Sequence, residues 1–90
     1  MNEAEFFESY LKKLPPEKQA GLRREQFSVY QFFADGTHER VREFVNVQEA
    51  VKAAWHYSNS VAARMGMVNR VIITDSGDCI AWEWTLPSSS

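Results

Sequence analysis

The stretch Ile73–Trp84, ITDSGDCIAWEW, decides how the C-terminal half of the chain folds. Two β-rich runs flank Asp75-Ser76-Gly77-Asp78. These residue types dominate turns, because glycine tolerates positive φ and aspartate bonds its own downstream backbone. A two-residue turn at Ser76-Gly77 sets Thr74 opposite Cys79, Ile73 opposite Ile80, Val71 opposite Trp82 and Arg70 opposite Glu83. One face of that ribbon carries Val71, Ile73, Ile80, Trp82, Trp84 and Leu86 and is uniformly apolar. The other carries Arg70, Ile72, Thr74, Cys79, Ala81 and Glu83, with an opposite-charge pair directly across. Both faces make sense together, so the stretch reads as a hairpin with its tryptophans turned inward.

Upstream lies a helix that this apolar face would meet. Asn46 is a good N-cap and Glu49, three residues on, completes a capping box. Val47, Ala50, Val51, Ala54, Ser58, Val61, Ala62 and Met65 recur at helical spacing, which predicts one helix from about Val47 to Met65. Its small residues allow close approach to a sheet. Gly66 is placed to end it in the left-handed conformation.

Before the helix, FSVYQFF-ADGT-HERVREFV (27–45) reads as a second hairpin, with Asp35-Gly36 as its turn signal. A two-residue turn would pair Phe32 with Glu39 and Tyr30 with Val41. Neither face then comes out cleanly apolar. A bulge or a three-residue turn would shift the register by one and exchange faces on one strand, and the residues leave these alternatives open. At the N-terminus, Asn2 and Glu5 again suggest a capping box, followed by Phe6, Phe7, Tyr10, Leu11 and Leu14 at helical spacing. Pro15-Pro16 ends this helix.

The expected fold is α+β, a ββαββ unit. Its four-stranded, mainly antiparallel sheet carries the central helix (about 47–65) on one face, with an amphipathic N-terminal helix (about 3–14) added. Residues 1–26 read as the helical arm and a charged connector, 27–86 as the domain and 87–90 as a disordered tail. Strand order 2-1-3-4 would keep every neighbour antiparallel. Placing strand 3 beside strand 2 would add a parallel pair through a right-handed crossover.

Ninety residues make one domain, and 44% hydrophobic residues are enough for a core. The apolar runs are far shorter than the ~20 residues of a membrane span. The acidic start lacks the features of a secretion signal, and one cysteine cannot form an intramolecular disulfide. These features point to a cytoplasmic protein without a membrane partner. Net charge is −2 and evenly spread: residues 1–26 hold five bases and five acids, 27–45 two and three, and the remainder three and four. No segment has the basic excess that nucleic-acid binding calls for.

The chemistry-bearing residues form no recognisable site. Asp75, Ser76 and Asp78 supply too few oxygens for a calcium loop and fit turn geometry. Cys79 has no base beside it in the register above, and acids near it would oppose thiolate formation. His38 and His56 show no zinc spacing. No catalytic residue, cofactor or metal site is assigned. Tyr30, Phe32, Arg40 and Arg42 could stack and neutralise single-stranded RNA, but Glu39 and Glu43 interleave with the arginines. Arginine stems packed on aromatic rings explain the same pattern. The stripe Phe6, Tyr10 and Leu14 would dock on the sheet face that the central helix leaves open, or on a partner.

The strings VYQFFADGTHERVREFV, EAVKAAWHYSNSVAARMG and RVIITDSGDCIAWEW resemble a group of small bacterial proteins of unknown function, over about residues 27–84. That resemblance implies a cytosolic bacterial origin and one compact domain, and brings no activity. The residues themselves point to a non-enzymatic protein-interaction or regulatory module that self-associates. Its expected surface is drawn from Phe6, Tyr10, Leu14, Tyr30, Arg40, Arg42, Ile72 and Cys79. The alternative is a weak single-stranded nucleic-acid binder using the first hairpin. A small enzyme or ligand-binding protein, with a pocket between Trp55, Tyr57 and the second hairpin, comes third.

Overall fold

A computed structural model describes residues 2–19 and 26–87. The elements run α1 (Glu3–Lys13), α2 (Pro16–Gln19), β1 (Phe27–Phe33), β2 (His38–Val45), α3 (Val47–Ser58), α4 (Val61–Arg64), β3 (Val68–Thr74) and β4 (Ile80–Thr85). The four strands form one antiparallel sheet in the order β2-β1-β3-β4, so the fold is α+β. The expected tail after Pro87, and most of the connector (20–25), lie outside the described residues.

Both long helices begin as their sequences dictate. The Asn2 side chain accepts a hydrogen bond from the Glu5 amide at 2.8 Å, and Asn46 accepts one from Glu49 at the same distance. Each satisfies one of the amides that a helix start leaves without a partner. The central helix does not run on to Met65. It stops at Ser58, and Ser60, in extended conformation, starts the separate turn α4. Ser60 Oγ accepts from the Ala63 amide and donates to the Tyr57 carbonyl, both at 3.1 Å. The break changes the helical phase: Ala63 turns inward, while Val61 and Met65, read as stripe residues, are 71% and 70% exposed.

Both hairpins use three-residue turns. In the first, the Phe33 amide bonds the Thr37 carbonyl and Gly36 bonds back to Phe33. In the second, Asp75 bonds Cys79 and Asp78 bonds back to Asp75. The third turn residue is left-handed in each, Gly36 at φ 93° and Asp78 at φ 59°. This is the type I turn with a following bulge residue that three-residue loops commonly adopt.

The extra turn residue shifts both registers by one. In the first hairpin, Tyr30 opposes Arg40 and Phe32 opposes His38. Two bulges follow, and Phe44 sits in the second of them with a positive φ of 51°. In the second hairpin a bulge at Ala81 adds another single step. Ile73 therefore opposes Trp82, not Ile80, and Val71 opposes Trp84. Two single shifts sum to two, so both tryptophans keep the inward face that the sequence assigned them. Ile80, between the turn and the bulge, feels only one shift. It pairs with Thr74 and is 51% exposed.

Helix α3 crosses β3, β1 and β2, and α1 packs beside it. Phe27, Val29, Val71, Ile73 and Trp82 meet Val47, Ala50, Val51 and Ala54 in one core, which Phe6 and Tyr10 of α1 and Leu14 just after it complete. The Phe6 ring stands edge-on to Trp82, centroids 4.7 Å apart. The N-terminal helix thus shares the covered face with α3, and does not cap the opposite one.

Candidate interaction surfaces

The expected surface residues separate into distinct places. Phe6, Tyr10 and Leu14 are buried in the core and present no side chain to a partner. Cys79 is an exposed free thiol at the second hairpin turn, not a strand residue beside Thr74. Its Sγ lies 3.7 Å from the Gly77 carbonyl and its amide donates to Asp75. Arg42 pairs opposite Val29, on the helix side of the sheet, with its Nε 4.0 Å from Glu49. Only Tyr30, Arg40 and Ile72 come together, on the sheet face opposite α1 and α3.

That open face is held by its own side chains. The Arg40 guanidinium lies 5.3 Å from the Tyr30 ring centre, and that of Arg70 lies 5.1 Å from Phe32. His38 stacks on Phe32 at 5.4 Å. Arg40 is paired with Glu43 at 2.7 Å, and Arg70 with Glu83. The Arg70–Glu83 pair is diagonal in the observed register, since Glu83 stands opposite Ile72. Ile72, between Tyr30 and Glu83 on this face, is only 7% exposed. The guanidinium groups are therefore neutralised and stacked before any ligand arrives.

A groove beside α1 and α3 includes Phe7, Arg42, Val51, Trp55 and His56. Trp55 thus faces α1 and the end of β2, and neither Tyr57 nor the second hairpin contributes. Among the described residues, no three His, Cys, Asp or Glu side chains gather closely enough to hold a metal ion. Among them, too, no helix is long and apolar enough to cross a membrane.

The two edges of the sheet differ sharply. Edge strand β2 has two bulges, a left-handed residue, and four exposed charged side chains: Glu39, Arg40, Arg42 and Glu43. Bulges and charges are how edge strands resist pairing with another chain. Edge strand β4 is regular from Trp82 to Thr85, and its one charged residue, Glu83, is neutralised by Arg70. The Leu86 amide bonds the Asn69 carbonyl at 2.9 Å, so it points into the sheet. Alternation along an antiparallel strand then turns the amides and carbonyls of Thr85 and Glu83 outward. Sequence reading missed this surface. The signal was present in the charge count of the two strands, but it becomes legible only once the strand order puts β4 at an edge.

No protein-family profile, curated protein or solved structure matches the chain. The functional reading rests on these surfaces alone.

Proposed function

We propose that this chain is a non-enzymatic protein-interaction module that docks partners along the outer edge of β4. The observation that carries the reading is the contrast between the edges: β2 has two bulges and four exposed charged side chains, whereas β4 runs without a bulge from Trp82 to Thr85 and carries one charged residue, Glu83, paired with Arg70. An unblunted edge presents a row of backbone donors and acceptors to an added strand. Exposed Leu86 at its end supplies an apolar side-chain contact.

Single-stranded nucleic acid on the open face is the competing reading. It would require Arg40 and Arg70 to leave their glutamates and unstack from Tyr30 and Phe32. The pairing speaks against it.

The test uses a synthetic peptide copying residues 80–87 as a surrogate strand, titrated into the labelled protein by NMR. The expected result is perturbation of the Glu83 and Thr85 amides in wild type, with the Glu83 perturbation lost in Thr85→Pro, which removes an outward donor without touching the β3 ladder. Perturbation centred on β2 or on Tyr30 and Phe32 would overturn the reading. So would a titration of single-stranded RNA at low salt that shifts the open face specifically.

A further inference from the structure

We infer that the strand that docks on β4 is β4 of a second copy of this chain, related by a twofold axis through Trp84. The inference rests on the β4-edge reading and specifies its partner. Four constraints select the arrangement. A twofold axis normal to the sheet makes the strands antiparallel and keeps both helix layers on one side. Outward backbone groups must meet outward backbone groups, so Glu83 and Thr85 pair only with odd-numbered residues of the copy. Like charges directly opposite one another are unfavourable, which rejects the register that sets Glu83 against itself. A register centred on Trp82 would run into the Ala81 bulge and the hairpin turn, and one centred on Thr85 would set Glu83 opposite Pro87, which has no amide to donate.

The register that remains sets Trp84 opposite Trp84 of the copy, Glu83 opposite Thr85, and Trp82 beside Leu86. The two Glu83–Thr85 pairs exchange about four backbone hydrogen bonds, since each hydrogen-bonded pair exchanges two. The half-exposed Trp84 ring and exposed Leu86 gain apolar neighbours. Four strands from each copy become one continuous eight-stranded sheet. The second edge of each copy is the blunted β2, so assembly stops at two chains, as a closed twofold contact requires.

Sedimentation velocity over a wide concentration range, combined with site-directed crosslinking, tests this. All crosslinking variants carry Cys79→Ser to remove the native thiol. Directly opposed, non-hydrogen-bonded residues bring their Cβ atoms within disulfide reach. Trp84→Cys is therefore expected to give a covalent dimer on mild oxidation. Where that variant folds poorly, an equal mixture of Glu83→Cys and Thr85→Cys is expected to give the mixed dimer in preference to either homodimer. Wild-type protein is expected to show a concentration-dependent monomer–dimer equilibrium. A strict monomer overturns the inference. A dimer in which neither crosslink forms also overturns it. If the surrogate peptide still adds at Glu83 and Thr85 in either case, the edge reading survives and only the twofold dimer of whole chains falls. If the peptide also fails, both fall.

Discussion

Trp82 lies directly opposite Ile73, with the Phe6 ring edge-on against it at 4.7 Å between centroids. This contact joins α1, β3 and β4 in one core. Trp82→Ala is expected to destabilise by about 3–5 kcal/mol, the usual range for emptying a buried aromatic site. Ile80→Ala, at a position 51% exposed, is expected to cost less than about 1 kcal/mol. Urea denaturation of the two variants measures both. Equal losses would contradict the register.

The turns offer a sharper ranking. Gly36 is left-handed, whereas Gly77 is not, and Asp78 takes the left-handed position in its own turn. Gly36→Ala is expected to cost about 1–2 kcal/mol through backbone strain. Gly77→Ala should be neutral within about 0.5 kcal/mol, because its new Cβ would meet Asp75 Oδ1 at an ordinary 3.5 Å. Thermal melts of the pair check the order. A two-residue Ser76-Gly77 turn would make both substitutions costly.

The Tyr10 hydroxyl is buried and has no hydrogen-bond partner among the described residues. Leaving a buried hydroxyl unsatisfied typically costs about 1–3 kcal/mol. Tyr10→Phe is therefore expected to raise stability by about 1 kcal/mol or more. Burial also pushes the Tyr10 hydroxyl far above the ordinary tyrosine range. Above about pH 10 the unfolded chain loses this proton while the folded chain keeps it, so stability falls as pH rises. Comparing denaturant midpoints of wild type and Tyr10→Phe from pH 8 to 11 should show a shallower alkaline loss in the variant. Identical slopes would mean that Tyr10 is not sealed in the core.

Asp35 provides the acid counterpart. The Thr37 hydroxyl donates to its carboxylate at 2.6 Å and the Thr37 amide at 2.9 Å, and together they hold the Asp35 carboxyl below its usual range. Its contribution is present above the unfolded carboxyl value of about 4 and is lost as pH falls through the folded one. Following the Asp35 carboxyl by NMR should show its midpoint moving back up in Thr37→Val. No movement would remove the hydroxyl as the main cause.

The residues themselves disclosed the element types, both helix caps and the inward face of Trp82 and Trp84, because periodicity and capping act over a few residues. Register was harder to read. Ser76-Gly77 looks like a complete two-residue turn, and nothing local signals that Asp78 will take the left-handed position or that Ala81 will bulge. The two errors cancelled for the tryptophans and not for Ile80. The helix break followed a signal that was present, Ser60 ahead of Val61–Arg64, but it was outweighed by an apolar spacing that ran through it. Of the expected surface, Tyr30, Arg40 and Ile72 share a face because strand alternation placed them there. Phe6, Tyr10 and Leu14 went into the core because α1 found room beside α3.

The central claim is that β4, and not β2 or the open face, receives the partner strand. Amide hydrogen exchange at Glu83 and Thr85, measured at low and high protein concentration, tests it most directly. Both amides point away from β3 and should exchange freely in the monomer. Their protection is expected to rise with concentration in wild type, while the outer amides of β2 stay unchanged. Exchange at Glu83 and Thr85 that ignores concentration, or protection that grows along β2 instead, would contradict the claim.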